Sequence, residues 1–143
     1  MKLVLNKCYG GFNLSPKAQR KYVQLKYKSK LYFYTQTKFN YKDGVEEYTR
    51  IDKGFNVDLW YDFALMNDLG KTVSQSGLKK AKFFQNHNID RNDPILVKIV
   101  EKMGKEANGK YADLMVVEIP DDVSYEIEEY DGREWVAESH RTW

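Results

Sequence analysis

The sequence predicts an α+β fold: a mostly antiparallel sheet with two amphipathic helices, at about 16–27 and 94–107, and a C-terminal β-hairpin. Ser15-Pro16 and Asp93-Pro94 predict the helices, because each puts a capping side chain before a proline and apolar residues follow at helical spacing. Short apolar or alternating segments that end at Gly-Gly or Asp-Gly pairs predict the strands. With 143 residues, 42% of them hydrophobic, we expect a single domain over residues 1–143.

The N-terminal elements follow from local pattern. Residues 1–5 alternate and favour a strand, which we expect to end at Gly10-Gly11. Ser15 can cap the free amides of the first helix, and proline at the first helical position loses no hydrogen bond. The outer side of this helix is basic.

The middle of the chain predicts a hairpin and then becomes difficult to interpret. Residues 31–35 are aromatic and β-prone, and Asp43-Gly44 suits a type I′ turn that folds them back on residues 45–51. Residues 59–65 fit a strand or a short helix, and residues 78–84 fit a short helix.

The C-terminal third is clearer. In the second helix the apolar residues form one stripe, and Asn108-Gly109 supplies a stop. Residues 113–119 are almost continuously apolar, which is typical of a buried central strand. Residues 125–128 and 133–137 alternate around Asp131-Gly132 and predict the C-terminal hairpin.

Composition favours a cytoplasmic protein. Cys8 is the only cysteine and can form no internal disulfide. No apolar stretch approaches the roughly 20 residues that cross a bilayer, and the first residues lack the apolar region of a signal peptide. We therefore expect no membrane association.

The sequence offers little for catalysis. Cys8, His87 and His140 are the only soft metal ligands, and their spacing fits no metal site. Nucleophile elbows, P-loops and dinucleotide-binding fingerprints are absent. We therefore expect a non-enzymatic protein without metal or cofactor, while Cys8 as a nucleophile with His140 as its base stays open as an alternative.

A set of residues suited to binding an anion remains. Arginines fit phosphate oxygens, backbone amides near glycines can add donors, and aromatic rings can stack on a base. The candidates are Arg91, Arg133, Arg141, Lys110, Gly10, Gly11 and Phe12, with Phe83, Phe84, Trp135 and Trp143 as further rings. The alternative is that each arginine makes an ion pair with one of the many acidic residues.

Two parts of the chain resemble a known family. These are residues 5–12 (LNKCYGGF) and the closing motifs at 112–122, 128–135 and 140–143. They resemble small phage and prophage proteins and, among these, the first type of Thoeris anti-defence proteins. Those proteins sequester cyclic ADP-ribose signals made by bacterial TIR-domain defence enzymes, and also cyclic oligonucleotides, without cleaving them.

The resemblance implies particular binding residues. It places Arg133 and Arg141 inside matching motifs and suggests Phe83 and Asn92 as the aromatic and the asparagine that contact the ligand. Lys110 stands where arginine is frequent in the family. The resemblance also implies a homo-oligomer with ligand at subunit boundaries, in the bacterial host cytoplasm during infection, with no nucleic-acid polymer as partner.

The sequence leaves two other functions open. The acidic hairpin and the aromatic surface would also suit a phage accessory protein that inhibits a host protein by direct contact. A degradative enzyme acting on a nucleotide or nucleic acid is the third possibility, although no acid/base or metal set is visible.

Overall fold

A computed structural model describes residues 1–40, 42, 44–52 and 63–139, and it confirms the predicted α+β fold. The helices are α1 (Pro16–Tyr27) and α2 (Pro94–Met103), and short 3-10 segments cover Gln75–Lys80, Asn86–Asn88 and Gly104–Ala107. The strands are β1 (Lys2–Asn6), β2 (Tyr32–Asn40), β3 (Val45–Arg50), β4 (Phe63–Leu65), β5 (Thr72–Ser74), β6 (Phe83–Phe84), β7 (Leu114–Glu118), β8 (Tyr125–Tyr130) and β9 (Arg133–Glu138).

The chain divides into two compact units. We call Met1–Tyr22 with Asn86–Trp143 the terminal unit, and Val23–Gln85 the inserted unit. The expectation of a single domain stays a prediction.

In the terminal unit, β1 rather than β7 is the buried strand. β1 pairs antiparallel with β7 in a two-stranded sheet, and Leu3, Val4 and Leu5 of β1 are fully buried. The prediction of a buried central strand at 113–119 is wrong, because Met115 of β7 is 48% exposed and only Leu114 is buried. An apolar run marks a strand here without requiring burial on both faces.

Both predicted helix starts are confirmed. The Ser15 hydroxyl accepts a hydrogen bond from the Ala18 amide at 3.2 Å, and Asp93 caps α2 by accepting from the Ile95 amide at 2.9 Å. The second helix extends as far as predicted but changes form. Regular α-helix ends at Met103 because Gly104 has φ +58°, and a 3-10 turn continues to Ala107.

The inserted unit is built on an antiparallel five-stranded sheet in the order β5-β3-β2-β4-β6. Its small core contains Tyr34, Leu65 and Val73. The predicted hairpin is confirmed as β2–β3, although Asp43 of its turn lies outside the described residues.

Two segments of the inserted unit, for which the sequence pattern is ambiguous or misleading, form strands. Phe63–Leu65 forms a strand, and the preceding residues 59–62 lie outside the described part. The short helix predicted over 78–84 is found only as far as Lys80, as a 3-10 helix that begins at Gln75, and it is wrong for Phe83–Phe84, which form β6. The Asn67 side chain fixes this change by accepting from the Lys82 amide and donating to the Lys80 carbonyl, both at 2.9 Å.

The C-terminal hairpin β8–β9 is confirmed, with its turn at Asp131-Gly132. Both turn residues have positive φ, +50° and +91°, as a type I′ turn requires. Among the helices of the described residues, none has the length and apolar character needed to cross a membrane.

Candidate functional site

The outer face of the C-terminal hairpin gathers the residues of a candidate site. Directly opposed residues of antiparallel strands lie on the same face, and the register opposes Tyr130 to Arg133 and Glu128 to Trp135. All four side chains are exposed. Glu134, between Arg133 and Trp135 in sequence, points to the opposite face because side chains alternate along a strand.

Glu134 anchors this hairpin to the rest of the terminal unit. It is buried, with 7% of its surface exposed, and its Oε1 accepts a hydrogen bond from the backbone N–H of Asn6 at 2.8 Å. The Arg91 guanidinium grips both carboxylate oxygens, with Nη2 at 2.7 Å from Oε2, and also donates to the Val4 carbonyl. A buried pair of this kind is stable only when both partners stay in place.

Asn6 adds a second anchor. Its side chain is fully buried at the end of β1, and its amide nitrogen donates to the carbonyls of Cys8 and Gly132, each at 2.7 Å. Its carbonyl oxygen accepts from the Asp113 amide at 2.8 Å. One side chain therefore joins the end of β1, the entry to β7 and the hairpin turn.

Glycines allow the hairpin turn to lie directly on the chain that follows β1. The Gly10 amide donates to the Asp131 carbonyl at 3.2 Å. A Cβ atom on Gly132 would come within 2.7 Å of the Gly10 nitrogen, closer than real Cβ contacts, and it would also meet Gly11. The contact is thus between backbones.

A groove of about 420 Å³ opens on this anchored hairpin. Two cationic and three aromatic side chains line it together with the edge of Glu134: Lys7, Tyr9, Tyr130, Arg133, Trp135 and Glu134. The three rings are well exposed, at 59% for Tyr9, 70% for Tyr130 and 41% for Trp135. The Trp135 indole is held in place because Nε1 donates to Glu128 Oε2 at 2.9 Å.

The residues that line this groove carry a net positive charge. Within the described part of the chain, neither the Lys7 ammonium nor the Arg133 guanidinium makes an ion pair with a carboxylate. The negative charge of Glu134 is already matched by Arg91. The groove therefore offers two cations next to exposed rings, which is a chemistry suited to an anionic ligand that carries an aromatic ring.

The structure places four other predicted residues beneath the hairpin instead of in the groove. Gly10 and Gly11 form the backbone contact with the turn, and the Arg91 guanidinium lies 3.8 Å from the centre of the Phe12 ring. For Arg91, the ion-pair alternative is what the structure shows. These residues support the groove from below, whereas Arg133 lines it.

The remaining predicted residues lie elsewhere. Asn92 borders a separate cavity of about 560 Å³ beside α2, and the Lys110 ammonium lies 5.4 Å from the centre of the Tyr111 ring. Phe83 belongs to the inserted unit, where its half-exposed ring lies 5.5 Å from that of Phe63. Arg141, like His140 and Trp143, falls outside the described residues.

Sequence reasoning missed Lys7, Tyr9 and Tyr130 as groove residues. For Tyr130 a usable signal existed, because a two-residue turn at Asp131-Gly132 opposes it to Arg133. Lys7 and Tyr9 reach the groove only because β1 packs beside β9, a long-range contact that local pattern does not encode.

Across residues 1–40, 42, 44–52 and 63–139, no cluster of three or more His, Cys, Asp or Glu side chains is arranged to hold a metal ion. The Cys8 thiol, the alternative nucleophile, donates to the Tyr111 carbonyl at 3.1 Å.

Comparison with known proteins gives no match, whether to a family model, to a curated protein or to a solved structure.

Proposed function

We propose that this chain is a phage-encoded anti-defence protein that binds and sequesters a bacterial immune signalling nucleotide without cleaving it. The ligand proposed first is a cyclic ADP-ribose isomer, with cyclic oligonucleotides as a second class. The observation that carries the proposal is the groove, in which Lys7 and Arg133 lie beside Tyr9, Tyr130 and Trp135. The resemblance of residues 5–12 and 128–135 to Thoeris anti-defence proteins supports the choice of ligand.

In this proposal, Arg133 and Lys7 bind the phosphates of the ligand. A guanidinium presents a planar set of donors that matches two phosphate oxygens, and an ammonium adds a second positive charge. Because both cations lack a carboxylate partner in the described part of the chain, a phosphate gains them without breaking an internal ion pair.

The exposed aromatic rings of the groove stack on the nucleobase in this proposal. A nucleobase that stacks on an aromatic side chain gains about 1–3 kcal/mol, and Trp135 is already oriented by its hydrogen bond to Glu128. The buried anchors Asn6 and Glu134 fix the hairpin before any ligand arrives, which lowers the entropy cost of binding. Tight binding without turnover needs such preorganisation and no organised nucleophile.

A second copy of the chain completes the site in this proposal. The groove is open and about 420 Å³, near the lower end of the roughly 300–1,000 Å³ that small-ligand pockets occupy. A neighbouring subunit would cover the ligand face that this groove leaves in solvent, so we propose a homo-oligomer with ligand at subunit boundaries.

Calorimetry of the purified full chain against cyclic ADP-ribose isomers and cyclic di- and trinucleotides tests the proposal, followed by chromatography of the ligand released on heating. We expect tight binding and recovery of intact ligand. Conversion of the ligand to a product, or the absence of binding to every one of these nucleotides, would contradict it.

Arg133→Ala should weaken binding about tenfold or more, because it removes a charge-assisted hydrogen-bond donor from the groove. Lys21→Ala is the matched control, since Lys21 is an exposed cation on α1 and outside the groove. The affinity of the control should stay within about twofold of the original chain. Equal losses in both variants would indicate a general charge effect and would remove Arg133 from the site.

Inhibition of a host protein by direct contact is the second candidate function. The exposed aromatic rings of the terminal unit favour this function, because aromatic side chains are enriched in protein–protein interfaces. Tyr111 adds a further exposed ring outside the groove. This function predicts that one host protein co-purifies with the tagged chain in stoichiometric amount. The same preparation would then give no heat with the nucleotides.

A further inference from the structure

Charges on the outer face of the hairpin are ordered along its length. Arg133 lies next to the turn, opposite Tyr130. Two residues further from the turn, the acidic Glu128 lies opposite Trp135, and Glu126 follows on the same face opposite Ala137. A ligand on this face therefore meets a cationic end and an acidic end, with the indole of Trp135 at the acidic one.

The Glu128 carboxylate is oriented and still has acceptor capacity. Its Oε2 accepts from Trp135 Nε1 at 2.9 Å, which holds the carboxylate at the edge of the indole ring. A carboxylate can accept about four hydrogen bonds. Within the described residues, this bond to Trp135 is the only one that the Glu128 side chain makes.

A carboxylate at this place is unfavourable for an anionic ligand unless the ligand donates hydrogen bonds to it. An acceptor that loses water without gaining a donor costs free energy. The same carboxylate therefore raises the affinity for a ligand that donates a hydrogen bond and lowers the affinity for a ligand that does not. Among nucleobase substituents, the exocyclic amino group of a purine is such a donor.

We infer that Glu128, beside the groove on the outer face of the hairpin, accepts a hydrogen bond from the exocyclic amino group of a purine stacked on Trp135, so that this face selects aminopurine nucleotides and holds them in one direction. The phosphate lies toward Arg133 and Lys7, and the amino group lies toward Glu128. The two cross-strand pairs are two residues apart, roughly 7 Å along the hairpin, so that one ligand can reach both. This inference rests on the proposed function and adds its specificity.

The test compares two probes that differ only in the amino group, adenosine 5′-monophosphate and purine riboside 5′-monophosphate. Their affinities are measured by calorimetry on the full chain and on the variants Glu128→Gln and Glu126→Gln. Glu126→Gln is the matched control, because it removes the same charge from the same face one pair further from Trp135. Thermal unfolding of each variant confirms that it is folded.

On the original chain we expect the amino-bearing probe to bind about tenfold more tightly, the size expected for a hydrogen bond to a charged group. Glu128→Gln should reduce this preference to about twofold or less, mainly by weakening the amino-bearing probe. Glu126→Gln should retain the preference.

The failures of this inference and of the proposed function are distinguishable. If the cyclic signals bind but the two probes bind equally, or neither binds, the inference about Glu128 is overturned and the sequestration proposal stands. If neither the cyclic signals nor the probes bind, both are overturned. Should Glu128→Gln not fold, equal binding of the two probes to the original chain still overturns the inference.

Discussion

Each unit of this molecule contains an arginine that pairs with carboxylates, and the two networks have different surroundings. In the terminal unit, Arg91 grips the buried Glu134 beneath the hairpin. In the inserted unit, the partly buried Arg50 bridges the exposed carboxylates of Asp52 and Asp68, with Nε at 2.7 Å from Asp52 and Nη1 at 2.7 Å from Asp68. Similar distances therefore occur in environments of different polarity, and burial decides what each network contributes.

The buried pair should be the more costly to break. Removing one partner leaves a charge that has neither water nor a counter-ion, whereas the carboxylates beside Arg50 regain water when it is lost. The two networks also have different roles. The buried network supports the candidate groove, and the exposed network joins β3 to the loop after β4.

The largest effect is expected for Arg91→Ala, which leaves the buried Glu134 carboxylate without its ion-pair partner. We expect the terminal unit to lose about 3–5 kcal/mol of unfolding free energy. Native-state hydrogen exchange of the β1 amides measures this loss locally. The matched control is Arg50→Ala, which should leave β1 protection unchanged. Equal loss of protection in both variants would contradict the distinction between the networks.

A somewhat smaller effect is expected for Asn6→Ala. This change leaves the Cys8 and Gly132 carbonyls without their donor in a buried site, and we expect a loss of about 2–3 kcal/mol. Asn67→Ala is the control, because Asn67 also bridges two backbone groups but does so at the surface of the inserted unit. Urea unfolding of the two variants should show the larger shift for Asn6. A larger shift for Asn67 would mean that burial does not set the ranking.

The smallest effect is a pH dependence of the inserted unit. The Gly70 amide, and then the Arg50 guanidinium, hold the pKa of Asp68 below its ordinary value of 3.8. Arg50 likewise lowers the pKa of Asp52. A lowered carboxylate pKa stabilises the fold above pH 3.8, and this contribution is lost as the pH falls further.

Acid titration of the inserted unit checks this expectation. Protection of the β2 and β3 amides should decrease modestly as the pH falls below about 4, and Arg50→Ala should make that decrease smaller. A decrease of the same size in the variant would show that Arg50 is not its source.

Most of the fold could be predicted because its signals are local. The caps at Ser15 and Asp93 and the turn at Asp131-Gly132 act through neighbours only a few residues away, and all three are found as predicted. The predictions that were wrong depend on distant residues. Burial of β7 is limited by what packs on it, and the strand at Phe83–Phe84 is set by Asn67 and by pairing with β4.

The candidate site could be predicted only in part, for the same reason. Arg133 and Trp135 share a face by simple alternation, so the sequence could indicate them. Arg91 is a candidate for anion binding by sequence, with an ion pair as the alternative, and its role depends on Glu134, which lies 43 residues away and on the inner face of the hairpin. A buried carboxylate in an acidic segment has no local signature that separates it from its exposed neighbours.

The glycine contact beneath the groove has a consequence for how this protein can change. Any side chain at Gly132 would collide with the Gly10 backbone, and Gly132 also has φ +91°. The exposed positions Tyr130, Arg133 and Trp135 carry no such restriction. Substitutions at these exposed positions can therefore change the surface of the groove one residue at a time, while the glycines below keep the hairpin in place.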